Sequence, residues 1–470
     1  MRGKLQLKRF ARRLICFAAV IGMLCTFACS GQTENTVRDP AEGQEAAATP
    51  APATAAPTIG EDEIIQIRTE APTELPTIAP TPEPTEEPTP EPTEEPTPEP
   101  TAEPVPETVT IGVVGDIMMP SYIVKGAKTG SGYDFDPLFA PFADLFAGVD
   151  LMCGNLETPL AGDARGYSGS KDPNTGLISF NAPDSLIDTL KGYGFDLLTT
   201  ANNHCFDRGI KGLYRTVEVI RAAGLYQTGT YLNAEDREQP CVIEVNGMKL
   251  GFVASTRLLN QAYKDCGREE EHIALGYLVD SDGEKLSPEL LRDIERVREA
   301  GAEFVILFAH WDYENSSPAA PITKRLAKKL LEAGADCIIG SHPHRVKGAE
   351  YITVERKDGP YTGLVMYSLG NFTANQDFEM MVGLYAQLTL TRNPETGKVS
   401  LTEAAAMPSY VLRRDSGAKY VVVPAYEDPK NIQGLKSSLT GNEIRLIGQA
   451  REHAIRKLGT DAGITILGGN

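Results

Sequence analysis

The stretch TVTIGVVGDIMM, residues 108–119, decides the fold, because an apolar, β-branched run ends abruptly at Gly115-Asp116. Such a run predicts a buried strand with a polar side chain at its carboxyl end. The same plan recurs at Asp196–Thr200, Phe304–Ala309, Cys337–Gly340 and Leu364–Ser368. Between the strands, helices are predicted at 210–223, 287–301 and 320–333, and a hairpin at 242–254 around Asn246-Gly247. Alternating strands and helices predict an α/β domain.

Polar side chains follow the apolar strands. Seven residues share this position: Asp116, Glu157, Asn203, His204, His310, His342 and His344. In α/β sheets, ligands bind beyond the carboxyl ends of strands. Imidazole, carboxylate and amide groups together suit Zn, Mn or Fe, so the cluster predicts a divalent metal site. A hydrogen-bonded polar core is the alternative interpretation.

The histidines separate into two groups. Pro343 restrains the backbone between His342 and His344, so we expect both rings to reach one cavity. His272 and His453 stand among charged residues, and we expect both to be exposed.

Charge is unevenly distributed along the 470 residues, whose formal net charge is −19. Residues 1–29 hold six basic and no acidic residues, whereas residues 30–107 hold 18 acidic and two basic ones. Residues 108–470 therefore carry −9. No basic domain is present, which disfavours nucleic-acid binding.

Residues 1–29 resemble a bacterial lipoprotein signal. A basic segment precedes the apolar run Leu14–Ala28, which is shorter than the roughly 20 residues that a spanning helix needs. The sequence around Cys29 resembles a lipoprotein cleavage site and predicts a membrane lipid attached there. An uncleaved membrane anchor is the alternative. In both cases we expect an extracytoplasmic protein anchored to the bacterial cell membrane.

Three further segments follow the signal. Residues 30–107 contain 17 of the 33 prolines and no Phe, Tyr or Trp, which predicts a disordered, extended spacer. Residues 108–425 are predicted to form the folded domain, and residues 426–470 a C-terminal extension with a helix at Asn442–Leu458. The five cysteines after residue 30 show no paired spacing, which argues against a disulfide framework.

Six ordered motifs resemble one family. They are GDIMM at 115–119, NLET at 155–158, NNHCFDRG at 202–209, HWDYE at 310–314, SHPH at 341–344 and YSLGNF at 367–372. Together they resemble the CapA family of capsule-synthesis proteins, also called PgsA, over about residues 108–425. The resemblance implies a calcineurin-like metallophosphatase fold, a four-layer sandwich of two β-sheets flanked by helices.

The resemblance also implies a ligand set for one or two divalent ions. Asp116 matches a ligand of the first metal and Glu157 the bridging carboxylate. Asn203 matches the amide ligand of the second metal. His310, His342 and His344 match the histidine ligands. Met118 stands where metallophosphatases usually have a ligating His, so one expected ligand is missing.

Other matches concern catalysis and local structure. His204 matches a non-ligand histidine that protonates a leaving oxygen or stabilises negative charge. Asp207 would orient His204, or, as the fourth residue of a new helix, favour the helix N-terminus. The family's Trp-Gly is here Trp311-Asp312, with the Trp either packed or contacting substrate. Asn371 is expected to bond the backbone of a ligand loop, or to be a simple turn residue.

Two classes of function fit these features. The first is a metal-dependent hydrolase or transferase acting on a surface polymer, its phosphorylated precursor or a γ-linked peptide. The second is a binding and assembly factor that helps export or anchor poly-γ-glutamate without turnover. Polymer synthase or export proteins would be partners in either case. Because the domain itself is acidic, an anionic polymer would have to be held by the metals or by local bases such as Arg208 and Arg345.

Overall fold

The computed structural model describes residues 107–469, apart from 165, 169–177, 261–264, 282, 315–317, 375, 416–418, 436–437 and 460–461. The predicted signal, the predicted lipid attachment at Cys29 and almost all of the predicted spacer lie outside the described residues. Among the helices that are described, none combines the length and the apolar character that crossing a membrane requires. None of the five cysteines after residue 30, all of which are among the described residues, forms a disulfide.

The first sheet has nine strands, with β1, β2, β3 and β4 parallel to one another. The hydrogen-bonded order is β14-β13-β12-β1-β2-β3-β4, and β11 and β15 pair with β1 and β13. Its strands are β1 (Thr108–Ile117), β2 (Leu151–Leu156), β3 (Leu197–Thr199), β4 (Tyr226–Thr228), β11 (Asn371–Thr373), β12 (Val382–Arg392), β13 (Val399–Arg413), β14 (Tyr420–Pro424) and β15 (Thr465–Ile466).

The second sheet has six strands in the order β5-β6-β7-β8-β10-β9. They are β5 (Cys241–Val245), β6 (Met248–Thr256), β7 (Phe304–His310), β8 (Cys337–Ser341), β9 (Val346–Arg356) and β10 (Gly359–Leu369). Strands β6, β7, β8 and β10 are parallel. The predicted hairpin is confirmed, because β5 and β6 are antiparallel and meet at Val245 and Met248 around the Asn246-Gly247 turn.

Ten described α-helices connect the strands. They are α1 (Ser121–Gly126), α2 (Asp136–Phe139), α3 (Ala143–Ala147), α4 (Ser185–Gly192), α5 (Gly209–Ala222), α6 (Ala234–Arg237), α7 (Arg268–Ala274), α8 (Pro288–Glu299), α9 (Pro321–Glu332) and α10 (Gly441–Leu458). Short 3-10 helices lie at Ala140–Phe142, Glu379–Met381 and Pro429–Asn431. Helix α8 begins as predicted, with the Ser287 hydroxyl accepting the Leu290 N–H at 3.0 Å.

The layers follow from strands that are apolar on both faces. On β7, Ile306 faces the core between the two sheets, whereas Leu307 packs with Leu326 of α9 outside the second sheet. On β1, Val113 likewise faces the central core, whereas Val114 packs in the aromatic cluster outside the first sheet. Three apolar clusters therefore separate four layers, which confirms the predicted sandwich of two sheets with flanking helices.

The predicted C-terminal helix is confirmed as α10, and it contacts β13 and β9. Thr440 and Glu443 form a capping box at its start. The prediction that His453 is exposed is wrong, because this side chain is only 6% exposed. Helical spacing places it beside the buried Ala450 and Ala454. Its charged sequence neighbours misled the prediction: Arg456 is exposed, although its Nη2 lies 3.4 Å from His453 Nδ1.

Candidate metal centre

The predicted ligands meet where the carboxyl ends of the parallel strands of both sheets come together. Asp116 lies at the end of β1, and Glu157 directly follows β2. His310 ends β7, and His342 directly follows β8. All six predicted ligands are buried: Asp116, Glu157, Asn203, His310, His342 and His344. The sheet geometry therefore brings together residues that are separated by up to 228 positions in sequence.

Two glycines let the sheets approach each other at this edge. A Cβ on Gly115 would lie 2.0 Å from the carbonyl oxygen of Gly370, so no larger residue fits there. Gly370 itself has φ +70, a left-handed conformation that glycine adopts without strain. The Asp116 N–H donates to the Gly370 carbonyl at 3.1 Å. The close approach thus fixes the backbone that carries the first predicted ligand.

The Asp116 carboxylate is held on both oxygens. Asn155 Nδ2 donates to Oδ1 at 2.7 Å, and the His342 N–H donates to Oδ2 at 3.2 Å. His344 Nδ1 lies 3.7 Å from Oδ2. Burial raises the pKa of Asp116, although His344 and the Asn155 hydrogen bond oppose the change. The side chain is therefore fixed in orientation by groups from both sheets.

Glu157 is buried with no compensating group. In the described part of the chain, neither of its carboxylate oxygens has a hydrogen-bond partner. Its nearest cationic candidate is His310, with Nε2 at 3.7 Å from Oε1. Burial, followed by repulsion from Asp116, raises the pKa of Glu157 well above its usual value. An unpartnered buried carboxylate costs several kcal/mol, so this position calls for a cation.

The three histidines are held in their neutral form. Burial places the pKa of His310 well below its usual value, lowers that of His342 to about 3, and lowers that of His344. The ring centroids of His310 and His342 are 4.8 Å apart, and those of His342 and His344 are 5.8 Å apart. Neutral imidazoles have a free lone pair, which is the form that binds metals.

His310 is oriented at both ring nitrogens. Nδ1 lies 2.9 Å from the Ser341 hydroxyl, and Nε2 lies 2.9 Å from Asn203 Oδ1. Since Nε2 also faces Glu157, three groups from two sheets surround one point. Residues that fix the second nitrogen of a ligating histidine are a regular feature of metal sites.

The tautomer of His344 follows from Asn371. Asn371 Nδ2 donates to the Met380 carbonyl at 2.9 Å, which leaves Oδ1 to accept from His344 Nδ1 at 2.9 Å. His344 Nε2 therefore carries the lone pair. Asn371 lies on β11 and is therefore not a turn residue, and its side chain bonds the predicted ligand His344 and the Met380 carbonyl instead of the backbone of a ligand loop.

The His-Pro-His segment brings both rings to the site, as predicted, but by a different backbone path. Proline disfavours the helical region for the preceding residue and favours an extended one. His342 instead has φ +91, and His344 has φ +58. The hydrogen bond from the His342 N–H to Asp116 helps to hold this unusual conformation. Such strain is typical of functional sites.

These residues fit a divalent cation. Three groups have ligand atoms within 4.8 Å of one another: Asp116 with Glu157 and His344, Glu157 with His310 and His342, and Glu314 with His342 and His344. The donors are carboxylate oxygens and imidazole nitrogens, and Asn203 adds an amide oxygen. This chemistry suits Zn, Mn or Fe. The unpartnered oxygens of Glu157 favour a cation site over a polar core held by hydrogen bonds alone.

His204 and Asp207 form a pair beside the ligands. His204 Nδ1 lies 2.7 Å from Asp207 Oδ2, which also accepts the Phe180 N–H at 2.6 Å. Asp207 precedes α5, which begins at Gly209, so it is not the fourth residue of a helix. Burial raises the pKa of Asp207, and His204 opposes the change. Asp207 thus orients the ring of His204 and leaves Nε2 free.

Four residues of the site were missed by the sequence interpretation. Asn155 and Ser341 lie near or at the carboxyl ends of β2 and β8, and this position was the signal that could have identified them. Glu314 ends the HWDYE motif but has no neighbouring pattern that marks it as a ligand. Arg257 follows β6 and donates its N–H to the His310 carbonyl at 2.9 Å. Nothing in the local sequence distinguishes it from a surface arginine.

Other singled-out residues have structural roles. Trp311 is fully buried and its Nε1 donates to the Tyr367 carbonyl at 3.0 Å, so it packs and does not contact substrate. Arg345 pairs with Asp377 and Glu379. Arg208 donates to the Phe180 carbonyl at 3.0 Å.

The chain is similar to several known proteins. The family model described as "Bacterial capsule synthesis protein PGA_cap" matches residues 110–376. The chain is 26% identical over 341 residues to "Capsule biosynthesis protein CapA" of Bacillus anthracis, covering 72% of each. It is 24% identical over 313 residues to "PGA biosynthesis protein CapA" of Bacillus subtilis (strain 168), covering 66% of this chain and 70% of that protein. A solved structure, the calcineurin-like phosphoesterase YfkN from Bacillus subtilis, aligns with 74% of this chain and 98% of that chain, at 13% identity and a TM-score of 0.37.

Proposed function

The chain belongs to the bacterial capsule synthesis protein family PGA_cap, and we propose that it acts at the cell surface in making or exporting a capsule polymer. Poly-γ-glutamate or a related envelope polymer is the proposed product. We propose further that the protein is a metal-dependent hydrolase of the phosphoesterase type, acting on the anionic polymer or its precursor.

One observation supports catalysis above all. A histidine oriented by a carboxylate, His204 with Asp207, lies beside a separate set of buried carboxylates and neutral histidines. His204 is close enough to lower the pKa of His310, His342 and His344. A proton donor beside a cation site is what hydrolysis of a phosphoester or amide requires.

The proposed ligands come from both sheets. The six predicted ligands would hold the cation or cations: Asp116, Glu157, Asn203, His310, His342 and His344. A bound divalent ion supplies Lewis-acid polarisation of a phosphoryl or carbonyl oxygen and lowers the pKa of water. The protein contributes the burial that excludes bulk water and the hydrogen bonds that fix each ligand in place.

His204 is the proposed general acid. Its Nδ1 is engaged by Asp207, so the proton available for transfer is the one on Nε2. The ring of Phe180 packs against it with centroids 4.4 Å apart, which restricts its rotation. His204 would hold a proton at Nε2 and give it to the leaving oxygen.

Arg257 is the proposed contact for an anionic substrate. Its Nη1 is buried, and no partner for it exists among the described residues. Its guanidinium carbon lies 5.5 Å from the centroid of the Tyr313 ring, on the loop that follows His310. An arginine with a free donor beside a metal site suits a carboxylate or phosphate group. This local charge would offset the overall acidity of the domain.

We also propose that a membrane lipid on Cys29 holds the protein outside the cytoplasm. The lipoprotein-like sequence around Cys29 and the proline-rich residues 30–107 support this proposal. The spacer would let the domain reach polymer synthase or export proteins at the cell envelope.

The test is a turnover assay on the full chain in detergent. The protein is loaded separately with Mn²⁺, Zn²⁺ and Fe²⁺ and given a chromogenic phosphomonoester, a phosphodiester and a γ-linked glutamate oligomer. We expect metal-dependent turnover, and we expect His204→Ala to lower kcat by about 100-fold or more. Bound metal should remain unchanged, because His204 is not among the ligands.

His272→Ala is the matched control, since His272 lies on α7 and belongs to none of the ligand groups. It should keep wild-type kcat. A folded chain that shows no turnover with any metal, or equal activity for His204→Ala and wild type, would refute the enzymatic proposal.

A second candidate is a polymer-binding and assembly factor without turnover. Met118 favours it, because a thioether is a poor ligand for hard divalent ions. In that case the metal-loaded chain should bind the γ-linked oligomer without cleaving it, and His204→Ala should bind it equally well.

A further inference from the structure

The loop that follows β7 brings to the metal centre a carboxylate that is not among the six predicted ligands. Glu314 has a carboxylate oxygen within 4.8 Å of ring nitrogens of both His342 and His344. Its negative charge also acts on the buried site, since it contributes to raising the pKa of Glu157. The residue itself is exposed, so it approaches the centre from the solvent side.

One buried ring nitrogen at this place needs a partner. His342 Nδ1 is buried without a hydrogen bond among the described residues, and its side chain belongs to the same group as Glu314. His344 is shared between the Glu314 group and the group of Asp116 and Glu157. Glu314, His342 and His344 therefore form a set of three clustered donors, one fewer than the four ligands of a tetrahedral zinc site.

The backbone just before Glu314 is anchored by Asp312. Asp312 accepts the Tyr313 N–H at 2.9 Å on Oδ1 and the Ala320 N–H at 3.2 Å on Oδ2. Its Oδ2 also pairs with Lys347 at 2.6 Å, and both side chains are fully buried. These contacts fix the backbone two residues before Glu314. Its approach to the histidines is thus set by buried contacts, unlike that of an ordinary surface carboxylate.

We propose that Glu314 is a metal ligand, supplying from the β7–α9 loop the donor that Met118 does not supply from the end of β1. This inference rests on the metal centre of the proposed function but is independent of catalysis. In this assignment, the Glu314 carboxylate, which approaches from the solvent side, takes the place of the imidazole expected at position 118. A negatively charged donor of this kind favours a hard ion such as Mn²⁺ over a softer one.

The test is metal binding by the full chain in detergent, stripped with a chelator and titrated calorimetrically with Mn²⁺ and with Zn²⁺. We expect Glu314→Gln to weaken one binding step by about 10-fold or more. The Mn²⁺ electron paramagnetic resonance spectrum should change as well. Glu395→Gln, at an exposed residue of the β12–β13 turn, is the matched control and should bind like wild type.

A second variant makes the test specific. Adding Met118→His to Glu314→Gln should restore part of the lost affinity, because the imidazole would supply a donor from β1. Equal isotherms for wild type and Glu314→Gln would overturn the assignment while leaving the metal centre intact. A stripped wild-type chain that binds neither ion would overturn both the assignment and the metal centre.

Discussion

Replacing Asp312 with glycine should destabilise the protein, even though glycine suits the backbone better. Asp312 has φ +73, and relieving this left-handed conformation is worth about 1 kcal/mol. The change also breaks the ion pair between Asp312 and Lys347, in which both side chains are fully buried. Removing one member of a buried pair costs about 3–5 kcal/mol. The free energy of unfolding should therefore fall by roughly 3 kcal/mol, measured by urea denaturation with the fluorescence of Trp311, the single tryptophan.

The double variant provides the control for this reasoning. Lys347→Met alone should also destabilise, because it leaves the Asp312 charge without a cation. Combining it with Asp312→Gly should recover about 2–3 kcal/mol relative to the sum of the single changes, since no buried charge remains. A loss below about 1 kcal/mol for Asp312→Gly, or purely additive losses in the double variant, would refute the argument.

Two further predictions concern recognition and anchoring. Arg257→Gln should weaken binding of inorganic phosphate or a γ-linked glutamate oligomer to the metal-loaded chain by about 10-fold, because a charged hydrogen bond is lost. Arg413→Gln, at an exposed residue, is the control and should not weaken binding. Equal affinities for both variants would contradict the role of Arg257. Cys29→Ala should abolish incorporation of labelled fatty acid in cells, whereas Cys25→Ala should not; retention of Cys29→Ala in the membrane fraction would favour the uncleaved anchor.

The sequence predicted the parts of the fold that are locally encoded. Strand β7 was expected at Phe304–Ala309 and is found at Phe304–His310, because a continuous apolar run marks a strand buried on both faces. The long antiparallel strands β12 and β13 were not predicted. They are defined by hydrogen bonding: β12 pairs with β13 and with β1, and β1 lies far away in sequence. Such pairing leaves no local signal beyond partial alternation.

The candidate ligands could be identified from the sequence for a related reason. Each follows an apolar strand, where its polar side chain stands out. Glu314 and Arg257 were not, because their roles depend on where the loops after β7 and β6 fold. Asp312 is similar in kind. Its positive φ and its pairing with Lys347 are properties of the folded loop, whereas the sequence alone indicated only that an aspartate replaces a glycine.

The choice between a metal centre and a structural polar core depends on Glu157. Two structural carboxylates buried elsewhere in the described chain are compensated by arginines: Asp336 by Arg298 and Arg356, and Asp293 by Arg237. Glu157 instead has two unpartnered oxygens and the repulsion of a second carboxylate beside it. Without a bound cation, this arrangement destabilises the folded protein by several kcal/mol. The same oxygens become favourable ligands once a divalent cation is bound.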